Sequence, residues 1–153
     1  MTYFSEIVHL SDIARVHGNR CPEKKAFVFE DRVVTYKEFD INSEKVANGL
    51  VLENVNEQDH VAYMDKNSDR FYELVMGCAK SNSVIVGINW RLAPPEVAYI
   101  LNDSNAKILI VGEDFFGLIE KILKDVPSIE KVICMSGKNK DWPTYEDWRD
   151  KQS

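Results

Sequence analysis

Gly112-Glu113-Asp114-Phe115-Phe116-Gly117 has the glycine spacing of a loop that could cradle a phosphate. Such a loop works by aiming free backbone N–H groups at the anion from a helix N-terminus. Here the next residues are Leu118-Ile119, without the Lys and Ser/Thr that would finish the site, and two carboxylates inside it would repel a phosphate. The stretch reads as an ordinary strand-to-helix turn. No Gly-x-Gly-x-x-Gly occurs, which removes the dinucleotide fingerprint. His9, His17 and His60 are far apart, no cysteine pair has two-residue spacing, and no His-Glu-x-x-His is present, so no metal site is read. A nucleophilic serine would need a Gly-x-Ser-x-Gly elbow, and there is none. Of the acidic pairs, Glu30-Asp31 falls in a hairpin turn and Glu146-Asp147 in a first helical turn, where the helix dipole favours carboxylates.

One carboxylate stands apart. Asp65 follows the strand Val61-Ala62-Tyr63-Met64, and open parallel sheets bind ligands at the carboxyl ends of strands. A receiver-like phosphoacceptor domain would use it so. Against that, Glu30-Asp31 runs at once into another strand, and the later strands show no suitably placed Ser, Thr or Lys at their ends. Asn89 and Arg91 also follow a strand, and they read as braces of the turn.

The elements that must position these residues follow from hydrophobic period. Ser11-Asp12 opens a helix carrying Ile13, Ala14 and Val16, and Ala26–Phe29 and Val33–Thr35 flank a polar turn as a hairpin. Thr35 and Glu38 have capping-box spacing ahead of a stripe of Phe39, Ser43, Val46, Ala47 and Leu50. Strands are expected at His60–Met64, Val84–Ile88, Ile108–Val111 and Val132–Met135. Helices are expected between them at Ser68–Ser81, Pro95–Asp103 and from an Asp114 cap to Val126. Phe71, Leu74, Val75, Cys78 and Ala79 form the inward face of the first of these helices. Strands apolar on both faces alternating with amphipathic helices predict an α/β fold: a mostly parallel sheet covered by helices on both faces, with a small N-terminal hairpin. No internal boundary divides residues 1–153. Thr144 and Asp147 cap a last helical turn, and Trp142, Tyr145 and Trp148 are expected to lie exposed beside it.

A net charge of −6 excludes the basic face a nucleic-acid binder needs. No apolar run nears the ~20 residues of a membrane span, and no basic leader precedes an apolar core at the N-terminus. Three widely spaced cysteines, Cys21, Cys78 and Cys134, read as free thiols in a reducing, cytoplasmic setting.

The order of Val34-Thr35-Tyr36-Lys37-Glu38-Phe39, Asn67-Ser68, Val84 to Asn89, Trp90-Arg91-Leu92 and Glu96-Val97-Ala98-Tyr99-Ile100-Leu101-Asn102-Asp103-Ser104 resembles the N-terminal part of AMP-forming acyl-CoA synthetases. The chain departs from the family's usual pattern at Ser81-Asn82, Gly87 and Asp65. The resemblance implies a parent enzyme that activates a carboxylate, a fatty acid in the nearest-looking members, with ATP and magnesium. The acyl-AMP then passes its acyl group to coenzyme A. It also implies that the family's phosphate loop, ribose-binding acid and mobile lysine lie C-terminal to the region represented. No catalytic, cofactor-binding or metal residue is therefore carried onto this chain, and the chain alone is expected to bind no cofactor. Its expected partners are the remainder of the parent enzyme and, by an open sheet edge at Ile108–Val111 or Val132–Met135, a second copy in a homodimer. A freestanding, non-catalytic α/β interaction module is the alternative.

Overall fold

The computed structural model describes residues 5–152; residues 1–4 and 153 lie outside it. From the N-terminus, α1 (Asp12–Arg20) leads to a hairpin of β1 (Lys25–Phe29) and β2 (Arg32–Thr35), then to α2 (Tyr36–Leu52). The alternating series follows: β3 (His60–Met64), α3 (Asp69–Ser81), β4 (Val84–Gly87), α4 (Pro94–Ser104) and β5 (Ile108–Val111). It ends with α5 (Phe116–Ile122), β6 (Lys131–Cys134) and α6 (Tyr145–Asp150). β1 and β2 pair antiparallel, and the other four strands form a sheet in the order β4-β3-β5-β6 with every neighbour parallel.

Alternation along each strand divides the core into two layers. Val61, Tyr63, Ile108, Ile110 and Ile133 point to one face, where they meet Val46 and Leu50 of α2 and Leu74 and Cys78 of α3. Ala62, Met64, Leu109, Val111 and Val132 point to the other, under Val97 and Leu101 of α4 and Ile119 and Ile122 of α5. Each fully buried aliphatic side chain contributes about 1.5–3 kcal/mol, so this two-sided burial is the main force holding the strands. The α/β expectation is met, and β3 and β5 have the expected bounds.

Local signals hold at several termini. Thr35 accepts the Glu38 N–H at 3.2 Å while the Glu38 carboxylate accepts the Thr35 N–H at 2.8 Å, completing the capping box. Thr144 caps α6 through the Asp147 N–H at 3.1 Å. At α1, in contrast, Ser11 makes no side-chain cap, and Asp12 accepts the Val8 and His9 N–H groups instead. On α3 the buried face is broader than the predicted stripe and includes Asp69, Glu73, Met76 and Gly77. The helix is gripped from two sides, by the sheet and by α2. A Cβ at Gly77 would lie 2.3 Å from Val46 Cγ1, so only glycine allows this approach.

Three expectations are corrected. Asp114 does not cap a continuous helix: it lies inside a 3-10 turn (Glu113–Phe115), and a second 3-10 turn (Leu123–Asp125) ends α5. Its carboxylate is drawn to Lys66 at 2.8 Å. The aromatic cluster is not exposed; Tyr145 and Trp148 are buried against α2 and the sheet, and half-buried Trp142 meets the Phe116 ring edge-on. Gly49 leaves room for the Trp148 ring, which is why α6 can close over this face. β5 is not an edge, because β3 and β6 flank it. At the outer side of β6, the Cys134 N–H donates to the Pro143 carbonyl at 2.9 Å and Thr144 bridges in parallel. β6 is thus an edge strand, as expected, bridged at one residue, and β4 is the other edge.

Candidate functional site

The chain passes from β3 outward to β4, then returns across β3 to β5 and continues to β6. Loops leaving β3 and β5 therefore diverge, and the crevice between their carboxyl ends is where such sheets take ligands. Asp65 follows β3, Gly112 follows β5, and Ser136 lies just past β6. Asp65 and Ser136, with Glu113 next to Gly112, Glu30 and Arg32 of the hairpin and Arg70 of α3, line a cavity of about 310 Å³.

Asp65 is half-buried at the floor of this crevice. It accepts the Lys66 N–H at 2.7 Å and the Ser136 hydroxyl at 3.3 Å. Burial pushes its carboxyl above the ordinary value, with these two donors pulling the other way. Ser136 is the hydroxyl that the sequence reading found missing from the later strand ends. It also accepts the Glu113 N–H at 3.1 Å, tying the β5 turn to the β6 turn.

The reason for glycine at 112 is now plain. A Cβ there would lie 2.2 Å from the Asp65 carboxyl, so the glycine makes room for a carboxylate. Three backbone donors of the turn are already used. The Gly112 N–H donates to Met64 and the Phe115 N–H to Gly112, both at 3.0 Å, and Glu113 is bound to Ser136. With the Glu113 and Asp114 carboxylates on the rim, the turn does not fit a nucleotide's phosphates.

Cations around the cavity are each held by a carboxylate. Arg32 grips Asp69 with two bonds, at 2.6 and 3.0 Å. Burial works to raise the Asp69 carboxyl, but the Arg32 bonds and charge outweigh it and leave it below the ordinary range. Arg70 donates to the Met135 carbonyl at 3.1 Å and pairs with Glu146. The site is a polar network in which each cation has a carboxylate partner, while Asp65, Glu30 and Glu113 form no salt bridge among the described residues; of these three, Asp65 lies between the two diverging loops.

The other candidate residues fall elsewhere. Asn89 accepts the Arg91 N–H at 3.0 Å, and the Arg91 guanidinium lies 4.4 Å from the Trp90 ring centre, which is a braced turn as expected. Glu30 reaches the cavity, whereas Asp31 is not among its lining residues. Glu146 and Asp147 occupy the first turn of α6. Among the described residues no group of three or more His, Cys, Asp or Glu is placed to hold a metal. All three cysteines are free thiols. No helix is long and apolar enough to cross a membrane, among the described residues.

A family model described as "AMP-binding enzyme" matches residues 14–153. The chain belongs to the AMP-binding enzyme family. Among its relatives, the fatty acid–[acyl-carrier-protein] ligase ScoC of Streptomyces coeruleorubidus is 38% identical over 106 residues, covering 69% of the chain and 20% of the relative. The crotonobetaine/carnitine–CoA ligase of Citrobacter koseri is 30% identical over 133 residues, covering 84% and 25%. Among solved structures, the anthranilate CoA ligase AuaEII, in complex with anthranoyl-AMP, superposes with a TM-score of 0.87 at 28% identity. That overlay covers 97% of this chain and 28% of the ligase. The N-terminal domain of FACL13 from Mycobacterium tuberculosis gives 0.85 at 27% identity, over 95% and 36%. The chain thus spans only a fifth to a quarter of these curated relatives' length. The acyl-CoA synthetase resemblance holds, and the receiver-like reading of Asp65 is set aside.

Proposed function

We propose that this chain is the N-terminal part of an ATP-dependent acid–thiol ligase that activates a carboxylate, a fatty acid by our reading. In such a reaction the carboxylate displaces pyrophosphate from ATP to give acyl-AMP, and a thiol then displaces AMP from the acyl carbonyl. The observation that carries the reading is the family match over residues 14–153, supported by near-complete overlay on a CoA ligase. ATP, magnesium and coenzyme A belong to the whole enzyme in this reading. The chain contributes the switch-point scaffold, and the turn at Gly112 is already filled by Asp65 and its neighbours.

The test is pyrophosphate release by the parent polypeptide over a chain-length series of carboxylic acids. Coenzyme A and an acyl carrier protein are supplied in separate arms, because ScoC is named for the carrier protein and other relatives for coenzyme A. Acid-dependent release is expected, strongest with fatty acids. Absence of release with every acid would overturn the reading. The 153-residue chain alone is expected to show no micromolar binding of magnesium-ATP by calorimetry.

A further inference from the structure

β4 is an edge without the usual protection. Its direction follows from its ladder: the Val84 N–H donates to the Asp59 carbonyl and the Ile88 N–H to the Tyr63 carbonyl, both at 2.8 Å. Residues 84, 86 and 88 therefore face β3, and the N–H and C=O groups of Ile85 and Gly87 face outward. No strand pairs with that side among the described residues. Natural edges are blunted by lysine, proline, bulges or inward charges. The run Asn82-Ser83-Val84-Ile85-Val86-Gly87-Ile88-Asn89-Trp90 has no charge and no proline, in a chain where 29% of residues are charged. Its register with β3 runs without a bulge.

We propose that β4 pairs antiparallel with β4 of a second copy of this chain, about a two-fold axis through Val86, joining the two four-stranded sheets. The edge is complementary to itself in this register. Ile85 stands opposite Gly87 of the second copy, and each such pair exchanges two N–H···O bonds. Val86 meets its own counterpart and Val84 faces Ile88, which are aliphatic cross-strand pairs. The flanking cations do not oppose one another, since Arg91 falls opposite Ser81 and Lys80 opposite Leu92. Closed two-fold pairing is also the commonest assembly of soluble chains. Gly87 is exposed, with nothing within 4 Å of a Cβ built on it, so the partner strand can come close there.

Sedimentation of the 153-residue chain over a concentration series tests this. A monomer–dimer equilibrium is expected. Gly87→Lys places a charge on the edge without a clash in the monomer and should weaken the dimer at least about tenfold. Tyr99→Lys, on the exposed side of α4, should leave it unchanged. Circular dichroism checks that each variant folds. In a Cys21→Ser background, Val86→Cys should form a disulfide-linked dimer under mild oxidation, because facing residues of a non-hydrogen-bonded pair lie ~4.5 Å apart, within disulfide reach. A monomer at every concentration, a dimer indifferent to Gly87→Lys, or no cross-link at Val86 would each overturn the proposal.

Discussion

Glu73 and Asp65 are both carboxylates drawn away from bulk water, and the chain treats them in opposite ways. Glu73 sits 2% exposed between α2, α3 and α6. It accepts Asn42 Nδ2 and Arg149 Nη1, each at 2.8 Å, and Arg149 is held in turn by two bonds to Asp150. Burial pushes the Glu73 carboxyl up, while Arg149 and Asn42 pull against that. Asp65 has only a backbone N–H and a hydroxyl as donors, and it faces a cavity. One carboxylate is enclosed and answered by a fixed counter-ion; the other is left partly unanswered where the loops diverge. A charge that only fastens elements is sealed on all sides, whereas a crevice open to solvent keeps capacity for another group.

The sharpest way to break this contrast is Arg149→Met. It would leave Glu73 buried without its counter-ion, at a cost of about 3–5 kcal/mol. Urea denaturation measures it, and adding Glu73→Leu should recover much of the loss. A cost below about 1 kcal/mol would mean that the pair does not fasten α6.

Gly112→Ala comes next. The new methyl group would turn the Asp65 carboxyl away from Ser136 and the Lys66 N–H, costing about 1–2 kcal/mol. In an Asp65→Ala background the same change should cost little, and a double-mutant cycle reads that coupling. Independent costs would show that Gly112 serves the backbone and not the carboxylate.

Tyr145→Phe should act in the opposite direction. Its hydroxyl is buried with no hydrogen-bond partner among the described residues, so removing it should stabilise the chain by about 1 kcal/mol. Thermal unfolding that shows destabilisation would point to a bond the hydroxyl does make.

The smallest effect is expected from Asp65→Asn, and its signature is pH dependence. The folded-state pKa is raised, so the stability linked to the protonated acid is fully present below the ordinary value of 3.8 and is lost as pH rises through the folded value. The asparagine variant should match the wild type in acid and exceed it above that window. Denaturation midpoints across pH 3–8 test the sign (roughly the range in which carboxyl groups titrate in proteins).

Much of this architecture was legible in local pattern. Uninterrupted aliphatics at Ile108–Val111, the Thr35–Glu38 spacing and the α2 stripe each express an interaction within a few residues, so period and capping chemistry suffice to read them. The same holds for Thr144 at the head of α6, and for the family resemblance that those segments carry in order. Asp65 was legible as the residue ending a strand.

What surrounds Asp65 was not, because Gly112 and Ser136 come to it from the ends of two later strands. A signal for Glu73 did exist. Asp69, Glu73 and Gly77 recur every four residues beside an apolar stripe, which marks a second buried face, but nothing local says that Asn42 and Arg149 will meet it there. The exposed reading of Tyr145 and Trp148 failed for the same reason. The burial of Trp148 depends on Gly49, nearly a hundred residues away, leaving space for its indole ring, and Tyr145 packs in the same core. By itself the sequence determined which segments are strands and helices and which family they belong to, since those follow from short-range periodicity and motif order. Only the tertiary structure decided which strands lie at the sheet's edges, which carboxylate is sealed and which faces a crevice, because those outcomes depend on the packing of segments far apart in the chain.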